Sequence, residues 1–238
     1  MLLLVSVRNP SEAAAAAAGG ADIIDAKDPV SGALGPVDLA TFRDIHAAAL
    51  HQRPVSAAIG DAADAGDVAR EARAFTLAGA DFVKLGPGRI TNPHRLCSLI
   101  AAAAGASTAV VAVGYADATD GISRDALIDI AAEAGARGVL LDTAEKTGPG
   151  LRRLVDQRAL GAWVTRARSA GLLVALAGRL SAEDLPFVIA AAPDIVGVRG
   201  AACDGGRAGR VSAARVRQLY DQVRALTEDR RSHTANLL

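Results

Sequence analysis

The chain has 238 residues, about half of them hydrophobic (51%), and its 26 basic side chains balance its 26 acidic ones. That composition supports a large core and gives no electrostatic reason to bind nucleic acid, since the arginines are scattered rather than striped. The opening Met1-Leu2-Leu3-Leu4-Val5-Ser6 lacks a basic start, Arg8-Asn9-Pro10 cuts the apolar run short, and no run approaches the ~18 apolar residues of a membrane span, so neither a signal peptide nor membrane association is expected.

Short β-rich apolar runs alternate with Ala-rich helical stretches along the whole chain. Strands are predicted at Leu2–Ser6, Ile23–Ala26, Val55–Ile59, Phe82–Leu85, Ala109–Val113, Val139–Leu141, Leu172–Ala177 and Ile195–Val198. Helices are predicted at Ser11–Ala18, Val37–Leu50, Gly66–Leu77, Pro93–Ala104, Ser123–Ala134, Leu160–Ala170, Ser181–Ala190 and Ala213–Leu226. Four strands follow a related phrase: Gly20-Ala21-Asp22, Gly79-Ala80-Asp81, Gly135-Ala136-Arg137 and Ala192-Pro193-Asp194. In each a helix stop leads to a polar residue at the strand entrance.

Eight alternating pairs predict an α/β fold, a single (β/α)8 TIM barrel with a parallel eight-stranded core. The runner-up, an open doubly wound sheet, wants a glycine-rich loop after the first strand, where this chain has Ser6-Val7-Arg8-Asn9-Pro10. Residues 1–228 read as the catalytic domain and residues 229–238 as a flexible C-terminal tail. Cys97 and Cys203 show neither disulfide nor metal-ligand spacing, which suits a cytoplasmic location.

Against 23 arginines stand three lysines: Lys27, Lys84 and Lys146. Arginine-rich coding explains their scarcity but not their positions. Lys27 follows the second strand, Lys84 ends the fourth and Lys146 follows the sixth, all at the C-terminal mouth where barrel enzymes keep their active sites. A guanidinium stays protonated, whereas a desolvated lysine amine can lose its proton and attack a carbonyl. Such a nucleophile wants a second cation to depress its pKa and a carboxylate to move protons. Asp25, two residues before Lys27 and on the same face of its strand, and Asp142, at the end of the sixth strand, are the candidates. The competing reading pairs each lysine with Asp25, Asp28 or Asp142 as a plain salt bridge.

The seventh and eighth strands end in Ala177-Gly178-Arg179 and Val198-Arg199-Gly200-Ala201-Ala202-Cys203. Gly178, Arg199, Gly200 and Ala201 are candidate phosphate-binding residues, with a short helix from Ala201 aimed at the anion. The other reading makes Gly178 and Gly200 ordinary turn glycines. Asp61, Tyr115 and Asp117 follow the third and fifth strands and are candidates to orient substrate, with turn formation the alternative for the two aspartates. His46, His51, His94 and His233 all fall away from this mouth, so no metal is expected. Cys97, Trp163 and the phenylalanines read as packing residues, and Cys203 as an unreactive neighbour of the phosphate corner.

Several segments together resemble the (5-formylfuran-3-yl)methyl phosphate synthase family of methanofuran biosynthesis. They are Leu2-Leu3-Leu4-Val5-Ser6, Gly19-Gly20-Ala21-Asp22-Ile23-Ile24-Asp25-Ala26-Lys27-Asp28-Pro29, Gly32-Ala33-Leu34-Gly35, Val83-Lys84-Leu85-Gly86, Gly114-Tyr115-Ala116-Asp117 and Leu141-Asp142-Thr143-Ala144-Glu145-Lys146, with Ala175-Leu176-Ala177-Gly178 and the run from Asp194 to Cys203. The resemblance implies a barrel lyase that condenses two glyceraldehyde 3-phosphate molecules into a furan aldehyde phosphate, losing phosphate and water. It implies Lys27 as the Schiff-base lysine, Lys84 as a proton-transfer residue, and Asp25, Asp142 and Lys146 as further active-site residues, with no cofactor. The expected partner is a phosphorylated triose, and a homo-oligomer is compatible with the sequence. The chain departs from archaeal relatives after Gly60-Asp61, at Ala62-Ala63-Asp64-Ala65-Gly66, and at Gly86-Pro87-Gly88-Arg89. Two other functions fit the same residues: a Schiff-base aldolase acting on another phosphosugar, and a non-catalytic phosphosugar-binding subunit.

Overall fold

The computed structural model describes residues 1–49, 53–61, 64–107 and 109–235. Leu50, His51, Ala62, Ala63 and residues 236–238 of the expected tail lie outside the described residues. Eight parallel strands close into a barrel: β1 (Leu2–Val7), β2 (Ile23–Ala26), β3 (Val55–Asp61), β4 (Phe82–Gly86), β5 (Val110–Tyr115), β6 (Gly138–Asp142), β7 (Leu173–Leu176) and β8 (Ile195–Val198). Closure is made by β1 against β8, from Leu2 opposite Ile195 to Val5 opposite Val198.

The outer ring comprises α1 (Pro10–Gly19), α2 (Leu39–Ala48), α3 (Ala65–Leu77), α4 (Pro93–Ala104), α5 (Arg124–Glu133), α6 (Leu151–Leu154), α7 (Gln157–Ser169), α8 (Leu185–Ala190) and α9 (Ala213–Ala235). The short α6 was not predicted: its four residues are too few to show a period. A two-stranded hairpin of β9 (Cys203–Asp204) and β10 (Arg210–Val211), entered through a 3-10 turn at Gly200–Ala202, also escaped prediction. The final helix runs past its predicted end at Leu226 to Ala235, so most of the expected tail continues it.

Local chemistry accounts for these elements. Asn9 caps α1 by accepting the Glu12 N–H at 2.9 Å, Pro10 fills the first turn, and Gly20 stops the helix at φ +95°. The alanine run between them follows from close packing. A Cβ on Gly19 would lie 2.5 Å from the Val216 Cβ, so only a thin α1 fits against α9. The recurring Gly-Ala-Asp phrase also has a definite purpose at the barrel floor. The carboxylates of Asp22, Asp81 and Asp194 each accept an N–H from the first or second residue of the preceding strand, at Leu3 (2.9 Å), Val55 (2.8 Å) and Val174 (2.8 Å). Each carboxylate thereby satisfies a backbone donor at the strand entrance.

Outward-facing strand residues such as Val5, Ile24, Val83, Val139 and Val196 pack against the helices, with Phe42 and Phe75 in edge-to-face contact beneath α2 and α3. A smaller apolar cluster, including Ile23, Ala58, Val113, Leu140, Ala175 and Ile195, fills the barrel interior. Above it the inward positions turn polar.

Candidate active site

The change from apolar to polar filling follows the strand register. Ser6 pairs across from Asp25, and Asp25 from Ser56, so three inward side chains of β1, β2 and β3 share one level. Asp25 is fully buried and accepts both hydroxyls, Ser6 Oγ at 2.8 Å and Ser56 Oγ at 2.7 Å. Its Oδ1 also meets Lys84 Nζ at 2.5 Å, across the interior from β4. Burial alone would raise the Asp25 pKa. Lys84 and Lys27, with the hydrogen bonds from Lys84 and Ser56, outweigh it and hold the carboxyl below its ordinary value.

Asp25 and Lys27 do face the same cavity, but they are not each other's nearest partners. Alternate residues on a strand are about 6.6 Å apart along its axis, so the amine leaves its neighbour's carboxylate behind. Lys27 Nζ instead comes within 4.0 Å of Asp142 Oδ2. Asp142 also holds Lys146 Nζ at 3.0 Å and accepts the Thr143 N–H at 2.7 Å. Burial pulls the Lys27 pKa down to about 8. Asp142 and Asp25 oppose the shift, while the charges of Lys84 and Lys146 add to it. Burial likewise lowers the Lys146 pKa, and Asp142 stays ionised despite its burial because Lys27 and Lys146 flank it. The two carboxylates thus make their closer contacts with Lys84 and Lys146, and Lys27 is left with the longer 4.0 Å contact to Asp142. Asp28 stands outside this group as a turn residue that accepts from Ser31 Oγ (2.6 Å) and Val30 N–H (3.0 Å).

All three lysines line one cavity of about 410 Å³, which opens at the C-terminal mouth and reaches down to Ile23, Phe82 and Leu173. Gly178, Arg199, Gly200 and Ala201 line its wall on the side of β7 and β8. Gly178 adopts φ +106°, and a Cβ there would press on Thr143 and Leu151 at 3.1 and 3.2 Å, so the backbone itself faces the cavity. Arg199 is placed differently from the expectation that it adds free charge. Its guanidinium turns into the barrel wall, where Glu12 Oε2 (2.9 Å) and the Ser6 carbonyl (2.9 Å) accept from it.

The remaining rim residues lie outside the lining. Tyr115 donates to Asp61 Oδ1 at 3.1 Å, and burial beside that carboxylate pushes its phenol pKa well up. Asp117 accepts the N–H groups of Ala144 and Glu145, both at 2.8 Å, and so fixes the loop between Asp142 and Lys146. Among the described residues no cluster of His, Cys, Asp and Glu could hold a metal, and no helix is long and apolar enough to cross a membrane. Cys97 and Cys203 are free thiols, and burial raises the pKa of both.

The profile of the 4-HFC-P synthase family matches residues 3–220, which include every side chain of this cavity. The chain belongs to that family. It is 37% identical over 234 residues to a (5-formylfuran-3-yl)methyl phosphate synthase of Methanosarcina barkeri, covering 94% of this chain and all of the relative. To the enzyme of the same name from Methanopyrus kandleri it is 40% identical over 232 residues, covering 93% and 98%. Among solved structures, 3-hexulose-6-phosphate synthase from Salmonella typhimurium superposes with a TM-score of 0.65 at 21% identity, over 94% of this chain and all of that one. That likeness concerns the barrel fold alone.

Within this member of the 4-HFC-P synthase family, five residues in or behind the cavity wall were not anticipated from sequence. Ser6 and Ser56 brace Asp25, and only the register brings them to it. Glu12 is buried beneath the mouth, bound to Arg199 and to Arg8 Nε at 3.0 Å. Arg179 and Arg207 bring two guanidiniums to the cavity wall at the ends of β7 and β8. Arg179 directly follows Gly178 and was within reach of sequence reasoning; Arg207 lies in the β9–β10 turn.

Proposed function

We propose that this protein condenses two molecules of glyceraldehyde 3-phosphate through an imine on Lys27, releasing phosphate and water and leaving a furan aldehyde phosphate, as a step toward methanofuran or a bacterial analogue. The observation that carries this reading is the Lys27 amine, buried at the cavity wall with a pKa near 8 while both carboxylates are held by other lysines. Such an amine is a competent nucleophile at neutral pH without being an exposed one. The relatives' printed name supports the furan aldehyde phosphate as product, and the triose substrate is part of the proposal.

In this scheme the Lys27 amine adds to the carbonyl of the first triose phosphate, and the carbinolamine expels water as the imine forms. Removal of the adjacent C–H proton gives an enamine, whose carbon attacks the aldehyde of the second triose. Lys146, hydrogen-bonded to Asp142 on one side of Lys27, is the acid for the departing oxygen. The Lys84–Asp25 pair on the other side carries protons to and from carbon. Elimination of one phosphate, ring closure, dehydration and hydrolysis of the imine return the free amine.

The test combines trapping with product analysis. Borohydride treatment in the presence of glyceraldehyde 3-phosphate should add a triose-derived mass to Lys27, and turnover should give a product absorbing in the near ultraviolet. An unmodified Lys27 under trapping conditions refutes the imine. Trapping with reversible aldol cleavage but no furan would identify a Schiff-base aldolase of another pathway instead.

A further inference from the structure

We infer that Arg207 is the side chain that binds the substrate phosphoryl group at the β7–β8 corner, presented to the cavity by a turn tied to the barrel through Arg8, Glu12 and Arg199. The inference rests on the phosphorylated-triose reading above and names the residue that would recognise it. Arg207 lines the cavity beside Gly178, Gly200 and Ala201. Its Nη2 is buried and has no hydrogen-bond partner, a distinction shared only with the Thr76 hydroxyl among the described residues. A buried guanidinium N–H without an acceptor is costly, and a phosphoryl oxygen satisfies it with a charge-assisted bond.

The other two arginines of the corner are differently engaged. Glu12 already neutralises Arg199 in a buried pair, and Arg179 donates to the Gly148 carbonyl from an exposed position. Burial lowers the Arg207 pKa, as do the charges of Arg199 and Arg179, although Asp142 opposes them. The corner around Arg207 is therefore short of negative charge. An incoming phosphoryl group would supply it.

The backbone of the turn is held as though to aim this side chain. Arg199 Nε donates to the Arg207 carbonyl at 3.1 Å, with longer contacts from Arg199 Nη2 to the Gly209 carbonyl and from Arg8 Nη1 to that of Ala208, both at 3.4 Å. Gly200 lies directly beneath: a Cβ there would stand 3.6 Å from the Arg207 nitrogen. Gly205 and Gly206, at φ +81° and +75°, make the sharp reversal that carries Arg207 back over the mouth. Arg199, expected as a phosphate ligand, thus serves as the post on which the ligand's loop rests.

The experiment compares wild type, Arg207→Gln and Arg207→Lys by calorimetric titration with inorganic phosphate. It also measures KM for glyceraldehyde 3-phosphate and borohydride trapping of unphosphorylated glyceraldehyde on Lys27. Loss of a charge-assisted hydrogen bond predicts phosphate binding and KM weaker by about 10- to 100-fold in Arg207→Gln, with glyceraldehyde trapping within about twofold of wild type. Arg207→Lys, keeping charge without the planar fork, should fall between. Unchanged phosphate affinity in Arg207→Gln overturns the assignment, as does absence of phosphate binding by wild type or an equal loss of trapping with both aldehydes. Furan production with Arg207-independent phosphate binding would sink this inference alone. Arg207-dependent phosphate binding without furan would support it and sink the reaction.

Discussion

Replacing Asp142 by Asn should shift the pH dependence of imine formation toward acid. In the native cavity the Asp142 carboxylate, 4.0 Å from Lys27 Nζ, favours the protonated amine, while burial drives the pKa down to about 8. Two unit charges at that distance interact by about 4 kcal/mol at an effective dielectric constant near 20, equivalent to about three pKa units. That is a ceiling, because an amide dipole and local water recover part of it, so the expected movement is about one to three units downward. Lys146 does not reverse the sign: without Asp142 its charge acts on Lys27 uncompensated. Only the neutral amine attacks, so wild-type trapping should climb roughly tenfold per pH unit below 8 and level off above it. The assay is the rate of cyanoborohydride trapping of glyceraldehyde 3-phosphate, followed by intact mass from pH 5 to 10. The quantity read is the midpoint, since loss of a proton carrier can lower the plateau without moving it. A midpoint that stays near 8 or rises would mean that Asp142 does not set the charge of Lys27.

Two further predictions concern the supports of the cavity. Glu12→Gln leaves the buried Arg199 without its carboxylate and should destabilise the fold by about 3–5 kcal/mol, read as a lower urea midpoint at unchanged slope; a change under about 1 kcal/mol would deny the pair any structural weight. Lys84→Met removes the cation at 2.5 Å from Asp25 and should cost a similar amount at pH 7. In that variant the folded-state pKa of Asp25 rises above its unfolded value, so the native state binds the extra proton first. The deficit should therefore shrink as pH falls from 7 toward 4, and urea melts that show it constant or growing would contradict the pairing.

Barrel geometry explains why some of this site could be read from the chain and some could not. Lys84 stands at an inward position of β4 and Lys27 directly after β2, where a charge beside an apolar run is conspicuous without any knowledge of its partner. The partners are another matter. Asp25 and Lys27 are neighbours in sequence, yet the closed barrel aims each across the interior, so Asp25 meets Lys84 of β4 and Lys27 meets Asp142 of β6. Alternation along one strand predicts which face a side chain takes; it carries no information about which strand lies opposite. Ser6 and Ser56 illustrate the limit, for they matter only because the register sets them level with Asp25.

The corner between β7 and β8 was hard to read in the sequence for a related reason. Arg199 follows β8 directly and looked like a free cation, because its counter-ion Glu12 lies 187 residues away and is delivered only when β1 closes the ring against β8. Arg207 was hidden among 23 arginines, in a turn that looked like an ordinary link to the last helix. The pattern Gly205-Gly206-Arg207-Ala208-Gly209 was the available signal. Glycines on both sides of a single arginine, in the segment after β8, give that side chain a backbone able to fold back over the mouth. The same ring closure therefore both neutralises Arg199 and turns it into an anchor for the loop, which leaves Arg207, rather than its more obvious neighbour, with a buried donor unsatisfied.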